Sequence, residues 1–225
     1  MGTIENGMIF KDRKEAGLML GKILEKEYKD KNALVLGIPR GGIVVACEIA
    51  NLLHAELSVV ITKKLPHPSH DEFAIGAAAE DGSVFLSTDS AGVSFDTIQG
   101  IVRKESREIE SRIQRFRHGR PLPDMQNRIV IIADDGIATG STLVPAVKLC
   151  KARKAAWIVV ASPVAGQNNL DELKELADDI VIFQQPNAFY AVGQVYQDFH
   201  QLTDHEVNAI LEDYNRSLQT TIRQQ

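Results

Sequence analysis

Two adjacent carboxylates end an apolar segment of the sequence, and the residues after them could bind a phosphate group. Ile129–Ala133 is a continuous apolar run, which is typical of a strand buried on both faces, and Asp134 and Asp135 end it. A turn of small residues follows, and Leu143–Cys150 then carries apolar residues at helical spacing, with Pro145 tolerated only in the first turn. The pattern predicts a strand, an acidic pair, a tight turn and a helix N-terminus.

The turn after the acidic pair has the composition of an anion site. Gly136 and Gly140 permit positive φ and close approach, and the N–H groups of residues 138–142 can point into one concavity. The helix dipole favours an anion at the same place. The residues predicted to bind a phosphate are Gly136, Ala138, Thr139, Gly140, Ser141 and Thr142. The Gly-Lys-Ser/Thr ending of a Walker A loop does not occur there, which disfavours a lysine-held nucleoside triphosphate.

The acidic pair adds a sugar site beside this phosphate site. Carboxylates would repel the phosphate itself, but one sugar length away Asp134 and Asp135 could accept hydrogen bonds from a ribose diol. Together the two parts describe a site for a ribose 5-phosphate. The alternative is an ordinary turn between a strand and a helix, with the acids capping the helix.

The segment from Asp134 to Thr142 after an apolar strand resembles the phosphoribosyl-pyrophosphate (PRPP) signature of type I phosphoribosyltransferases. From Phe10 to Phe199 the chain is most similar to bacterial predicted phosphoribosyltransferases whose acceptor is undefined. The resemblance implies transfer of ribose 5-phosphate from PRPP to a nitrogen of a small acceptor, such as a nucleobase, with release of pyrophosphate. It also implies Mg²⁺, held at Asp134 and Asp135 through ribose hydroxyls or water.

A second turn, Gly37–Gly42, also follows a strand and opens a helix. Its spacing is not a dinucleotide fingerprint, and a turn without a ligand is the alternative. By the resemblance it is the pyrophosphate-binding loop, formed by Pro39, Arg40, Gly41 and Gly42, and Arg40 offers forked donors. The family's non-proline cis peptide is then expected at Pro39–Arg40 or Arg40–Gly41.

Lys63 and Lys64 follow the end of another predicted strand, at the same edge of the sheet. They could neutralise pyrophosphate, although a solvated lysine pair is the alternative. Catalysis is assigned to Asp134, Asp135, Arg40 and Lys63. The acids would stabilise an oxocarbenium-like sugar, and the cations would favour the departing anion. By the resemblance, one basic residue between 103 and 120 is expected to close over pyrophosphate. The charge pattern of that helix is itself typical of a solvated face.

Four aromatic residues between 186 and 199 suggest a stacking wall for a flat acceptor, although packing in the core is the alternative. The residues assigned to acceptor binding are Phe189, Tyr190, Val192, Tyr196 and Asp198. Hypoxanthine-guanine transferases carry a third acid where this chain has Ala138, which disfavours a close copy of their chemistry.

Strands alternating with helices predict an α/β fold with a mostly parallel central sheet flanked by helices. The resemblance implies that this is the type I phosphoribosyltransferase (Rossmann-like) fold. A small hood would come from a hairpin and the C-terminal segment, within 63–123 and 185–218. Residues 8–218 are predicted to form one domain, and residues 1–7 an extension that is disordered or not native. The element predictions are strands at 33–37, 58–62, 157–162 and 180–183, an irregular segment at 63–70, a hairpin around Asp81-Gly82, and helices at 43–53, 95–117, 170–176 and 204–218.

The composition of the chain limits the classes of partner that we expect it to bind. The 25 basic and 30 acidic residues give a net charge of −5, which offers no electrostatic case for nucleic acid or a membrane surface. No apolar run approaches the roughly 18 residues of a membrane span. We therefore expect a cytoplasmic protein with no nucleic-acid or membrane partner, and the resemblance implies a homodimer. Two other classes stay open: a regulator that senses PRPP or a nucleotide without turnover, and a sugar-phosphate hydrolase.

Overall fold

A five-stranded parallel sheet forms the centre of the molecule. The computed structural model describes residues 3–4, 7–166 and 170–222. The sheet strands, in chain order, are β3 (Leu34–Gly37), β4 (Glu56–Val59), β8 (Ile129–Ala133), β9 (Trp157–Val164) and β10 (Asp179–Gln184). Their order across the sheet is β10-β9-β8-β3-β4, and every neighbouring pair is parallel. The predicted α/β fold with a parallel central sheet is therefore confirmed.

Helices cover both faces of the sheet. They are α1 (Arg13–Tyr28), α2 (Gly41–Leu53), α3 (Phe95–Arg117), α4 (Leu143–Ala152), α5 (Asp171–Leu176) and α6 (Asp204–Ile222). In β8, Ile131 and Ala133 pack into the core shared with α1, α2 and α6, whereas Val130 and Ile132 pack against α4 and α5. This alternation explains the continuous apolar run, because both faces of the strand are buried.

A separate antiparallel sheet comprises β5 (Thr62–His67), β6 (His70–Ala79) and β7 (Val84–Leu86). The predicted hairpin around Asp81-Gly82 is confirmed, with Gly82 at φ 85°. The predicted strand at 58–62 is only partly confirmed. Strand β4 includes Ser58 and Val59, but the chain then leaves the parallel sheet, and Thr62 pairs with Ala79 of the second sheet. The segment at 63–70 is also not irregular, since β5 runs through it.

Side-chain hydrogen bonds cap the N-termini of two helices. The side chain of Asp12 accepts a hydrogen bond from the Glu15 amide (2.8 Å) and caps α1, and Ser94 caps α3 in the same way. The long helix at Phe95–Arg117 matches its predicted bounds. The other predicted helices and strands differ from the observed bounds by up to four residues at an end. Near the N-terminus, β1 (Thr3–Ile4) pairs with β2 (Gly7–Met8). Within the described residues, no helix has the length and apolarity needed to cross a membrane.

Candidate functional site

Two loops meet at the carboxyl ends of the neighbouring strands β3 and β8. Gly37 pairs in register with Ala133, so the chain leaves both strands at the same level of the sheet. We call residues 38–42 the glycine loop and residues 134–142 the acidic loop. In open α/β sheets this edge is where ligands bind. The predicted non-proline cis peptide is present, at Pro39–Arg40.

The two loops touch, and two glycines make the contact possible. An ideal Cβ atom built on Gly41 would lie 1.8 Å from Oδ2 of Asp135. One built on Gly42 would lie 2.7 Å from the carbonyl oxygen of Ala133. No real Cβ atom could occupy either position without displacing a neighbour, so the acids and the predicted pyrophosphate loop form one continuous surface.

The acidic pair is largely buried, and its two carboxyl groups have different electrostatic surroundings. Oδ1 of Asp134 accepts a hydrogen bond from the Asp135 amide at 2.9 Å. Withdrawal from water and the negative charge of Asp135 raise the pKa of Asp134 well above its ordinary value. The carboxylate of Asp135, by contrast, has a cationic partner of its own.

That partner is Arg13, the first residue of α1, which the sequence analysis did not select. Its Nε donates to Oδ2 of Asp135 at 2.6 Å, and its Nη1 donates to the carbonyl of His200 at 3.0 Å. The guanidinium carbon lies 3.9 Å from the centre of the Phe199 ring. One signal was available: a cation in the first turn of a helix is unfavourable beside the helix dipole and therefore indicates a local anion.

Backbone pairing between the two ends of the chain positions Arg13. The amide of Phe10 donates to the carbonyl of Val195 (2.8 Å), and the amide of Asp198 donates to the carbonyl of Lys11 (2.9 Å). This pairing places the start of α1 directly beside the segment that contains His200. Arg13 is only 8% exposed as a result.

The predicted acceptor wall divides into buried and exposed residues. Tyr196 is buried: its hydroxyl donates to the carbonyl of Asp135 at 2.6 Å, and its ring stacks on Phe199 with centroids 5.0 Å apart. Burial raises the pKa of Tyr196 above its ordinary value. Its ring therefore packs on protein and supports the acidic loop, which corrects the prediction that it stacks on a ligand.

The other acceptor candidates lie around Tyr196. Val192 packs on Gly136, where an ideal Cβ atom would lie 2.3 Å from its Cγ1. Phe189 is half-buried, and Tyr190 is 90% exposed. Asp198 is exposed and accepts hydrogen bonds from the amide and ring of His200. Phe189 and Tyr190 are thus the aromatic residues of the set with surface left for a ligand.

The phosphate-binding part of the acidic loop keeps its hydroxyl groups near the surface. The side-chain oxygens of Thr139 and Ser141 lie 2.7 Å apart, and Ala138 and Thr139 are exposed. Gly140 has φ 71°, and its carbonyl accepts hydrogen bonds from the first amides of α4. The carbonyl of Thr142 accepts a hydrogen bond from the hydroxyl of Thr62 (2.8 Å), which ties β5 to the loop.

The predicted pyrophosphate cations are all paired with acids or exposed. Nη1 of Arg40 lies 4.0 Å from Oδ1 of Asp204. Nζ of Lys63 lies 3.5 Å from Oε2 of Glu105, a buried acid on α3, whereas Lys64 points the other way and is exposed. Adjacent strand residues face opposite sides, so the two lysines cannot both face the same ligand.

Comparison with known proteins identifies the family of the chain. A family model described as "Phosphoribosyl transferase domain" matches residues 8–200. The chain belongs to the phosphoribosyl transferase family.

Two similar proteins illustrate this family membership. "Putative phosphoribosyl transferase MT0597" of Mycobacterium tuberculosis (strain CDC 1551 / Oshkosh) is 38% identical over 211 residues, which cover 92% of this chain and 47% of that protein. This chain therefore spans about half the length of the curated relatives it matches. The crystal structure of TT1426 from Thermus thermophilus is 35% identical, with a TM-score of 0.80, over 92% of this chain and 99% of that one.

Proposed function

We propose that this phosphoribosyl transferase moves the ribose 5-phosphate unit of PRPP to a nitrogen of a small acceptor, such as a nucleobase, and releases pyrophosphate. The observation that carries the proposal is the direct contact between the glycine loop and the acidic pair. This contact supports the proposal because the carboxylates that would hold the ribose diol then lie next to the loop that would hold pyrophosphate, and the turn that would hold the phosphate continues from the same acids.

Each part of PRPP then has its own group of residues. The 5-phosphate is bound by Gly136, Ala138, Thr139, Gly140, Ser141 and Thr142. Pyrophosphate is bound by Pro39, Arg40, Gly41 and Gly42 together with one of the two lysines Lys63 and Lys64, which face opposite sides of β5. Asp134 and Asp135 accept hydrogen bonds from the ribose diol and stabilise positive charge that develops at the anomeric carbon. Arg13 fixes the position of Asp135, so the sugar meets a carboxylate that is already oriented.

The donor set at this edge fits a Mg²⁺ ion that arrives with the substrate. Among the described residues there is no group of three or more His, Cys, Asp or Glu side chains that could hold a metal. Two carboxylates are too few for a protein cage, but hard oxygen ligands suit Mg²⁺ when substrate and water supply the rest. Bound there, the ion would neutralise charge on pyrophosphate.

Further parts of the proposal concern the whole protein. Residues 8–218 form one domain, with Phe189 and Tyr190 beside the acceptor. Val192, Tyr196 and Asp198 support that wall or contact its edge. The protein is cytoplasmic, contributes to nucleotide salvage, and forms a homodimer.

The test has two stages. Calorimetry with PRPP and Mg²⁺ should show binding to the wild-type protein and none to a variant carrying Asp134→Asn and Asp135→Asn. A pyrophosphate-release assay with a panel of free bases and amines should then show turnover with at least one acceptor. Binding without release across the panel would favour a PRPP sensor over an enzyme. Absence of binding at millimolar PRPP would contradict both.

A further inference from the structure

Three charged residues from distant parts of the chain converge at the edge of the glycine loop. Asp204, the first residue of α6, receives a hydrogen bond at Oδ2 from Nη1 of Arg115, near the end of α3, at 2.7 Å. Its other oxygen lies 4.0 Å from Nη1 of Arg40. One carboxylate is thus shared by two guanidinium groups, and one of these belongs to the predicted pyrophosphate loop.

Arg115 is oriented by its own helix. Its Nη2 donates to the hydroxyl of Ser111 at 2.9 Å and lies 3.6 Å from Oε1 of Glu108. Glu108 also accepts a hydrogen bond from Arg112, one turn earlier than Arg115 (3.0 Å). These contacts hold the Arg115 side chain over the end of α3, with Nη1 directed at Asp204.

We propose that Arg115 is a second guanidinium of the pyrophosphate subsite, and that Asp204 is an internal carboxylate with which pyrophosphate competes. The inference rests on the proposed function, because it assigns a position to the pyrophosphate of PRPP. Pyrophosphate carries more charge than a carboxylate and offers several oxygens, so it satisfies two forked donors better than Asp204 does.

The exposure of the three residues allows this exchange. The side chains of Arg40 and Arg115 are each 43% exposed, and that of Asp204 is 36% exposed. Ion pairs at such exposed positions contribute little to stability, so an incoming anion displaces the carboxylate at low cost. Asp204 keeps the two arginines in place without blocking them.

Asp204 is close in sequence to the residues that contact the ribose-binding acids. Asp204 follows closely after Tyr196, Phe199 and His200, which contact Asp135 or Arg13. The same segment therefore contacts the acids for the ribose and the arginines for pyrophosphate. Displacement of Asp204 by pyrophosphate would change the contacts at the start of α6, next to this segment.

The experiment measures the dissociation constant of inorganic pyrophosphate for the full chain by calorimetry. Arg115→Gln should weaken binding about tenfold or more, the size expected for loss of a charge-assisted hydrogen bond. Asp204→Asn should tighten binding by about 1.4- to 5-fold, which is the exposed-pair energy expressed as an affinity. Thermal unfolding of each variant confirms that it is folded.

Two matched controls separate local competition from a general change of charge. Arg216→Gln and Asp213→Asn remove the same two charges from α6, more than two turns after Asp204, where Asp213 and Arg216 pair with each other. Both should leave pyrophosphate affinity within about twofold of wild type, roughly the scatter between independent surface sites. Equal effects from the controls and the test variants would overturn the proposal.

A double variant gives the decisive comparison. If Asp204 competes through Arg115, the gain from Asp204→Asn should shrink when Arg115→Gln is also present. A full, additive gain would show a general electrostatic effect and would overturn the proposal. A wild-type protein that binds PRPP while both single variants bind pyrophosphate unchanged would overturn this inference and leave the proposed function standing. A wild-type protein that binds no PRPP would instead remove the proposed function.

Discussion

Adding one methyl group at Gly41 should disrupt the contact between the glycine loop and the acidic loop. The new Cβ atom would lie 1.8 Å from Oδ2 of Asp135, 2.5 Å from its Cγ, and 2.9 Å from Nε of Arg13. Because Asp135 and Arg13 are largely buried and paired, neither can swing into solvent without breaking the 2.6 Å ion pair. Either the carboxylate or the glycine loop must therefore move.

The magnitude of the Gly41→Ala effect follows from that geometry. Overpacking of this kind costs about 1–3 kcal/mol of folding free energy, and each kcal/mol lowers the melting temperature by about 2–4 °C in a chain of this size. A displaced Asp135 would also lose a charge-assisted hydrogen bond to the sugar, worth about 1.5–3 kcal/mol. Binding of PRPP should then weaken by about 10- to 150-fold.

Gly100→Ala is the matched control for this substitution. Gly100 lies inside α3, and an ideal Cβ atom there meets nothing within 4 Å. Alanine in a helix interior is more favourable than glycine by roughly 0.5–1 kcal/mol, so the melting temperature should hold or rise and PRPP affinity should not change. Calorimetry and thermal unfolding of both variants check the comparison. Wild-type PRPP affinity in Gly41→Ala would refute the contact between the loops.

Three other predictions concern the same edge of the sheet. Arg13→Gln leaves Asp135 buried without its cation, so it should lower the free energy of unfolding by about 3–5 kcal/mol and also weaken PRPP binding. Arg13→Lys should recover part of the stability and part of the affinity. An unchanged melting temperature for Arg13→Gln would contradict the role given to the pair. Asp134→Asn should raise the melting temperature at neutral pH but abolish pyrophosphate release. Since the pKa of Asp134 is raised in the folded state, its neutral form is favoured there, and the stability gain should vanish below pH ~3.9, where the acid is protonated in both states; a gain that persists at low pH would contradict this cause. Tyr196→Phe removes the hydrogen bond to the Asp135 carbonyl and keeps the packed ring, so it should cost about 0.5–1.5 kcal/mol by thermal unfolding, with Tyr190→Phe as the exposed control that changes nothing; equal effects would contradict the assigned support role.

Local sequence signals predicted the acidic loop because its parts are contiguous. The strand, the acids, the glycines and the start of the helix all lie between Ile129 and Leu143, so the chain itself brings them together. Strand order then brought the glycine loop to the same edge, since parallel strands joined by helices place their following loops on one side. These inferences needed no knowledge of side-chain packing.

Arg13 could not be found in this way. It reaches Asp135 only because Phe10 pairs with the segment near Val195, a contact between residues at opposite ends of the chain. Tyr196 posed a related problem, because an aromatic residue near a site can face the ligand or support the loop behind it. Only the observed burial and the hydroxyl contact to Asp135 distinguish the two.

The segment around Ser58–Thr62 shows a different limit. Its residues favour strand throughout, so propensity and pattern predict one strand. In the structure the amide of Val60 still pairs with Gly37, but the amide of Ile61 binds the Glu80 side chain and Thr62 joins the second sheet. When residues that favour strand continue without interruption, the composition does not show where the chain passes from one sheet to another.

The central claim is that one edge of the sheet holds a ribose 5-phosphate, with the acidic pair on the sugar and the turn after it on the phosphate. A crystal structure of the protein soaked with ribose 5-phosphate tests this most directly. We predict phosphate density against residues 138–142 and the sugar diol within hydrogen-bond distance of Asp134 and Asp135. Density for the sugar phosphate elsewhere, or none at this edge at saturating ligand, would contradict the account.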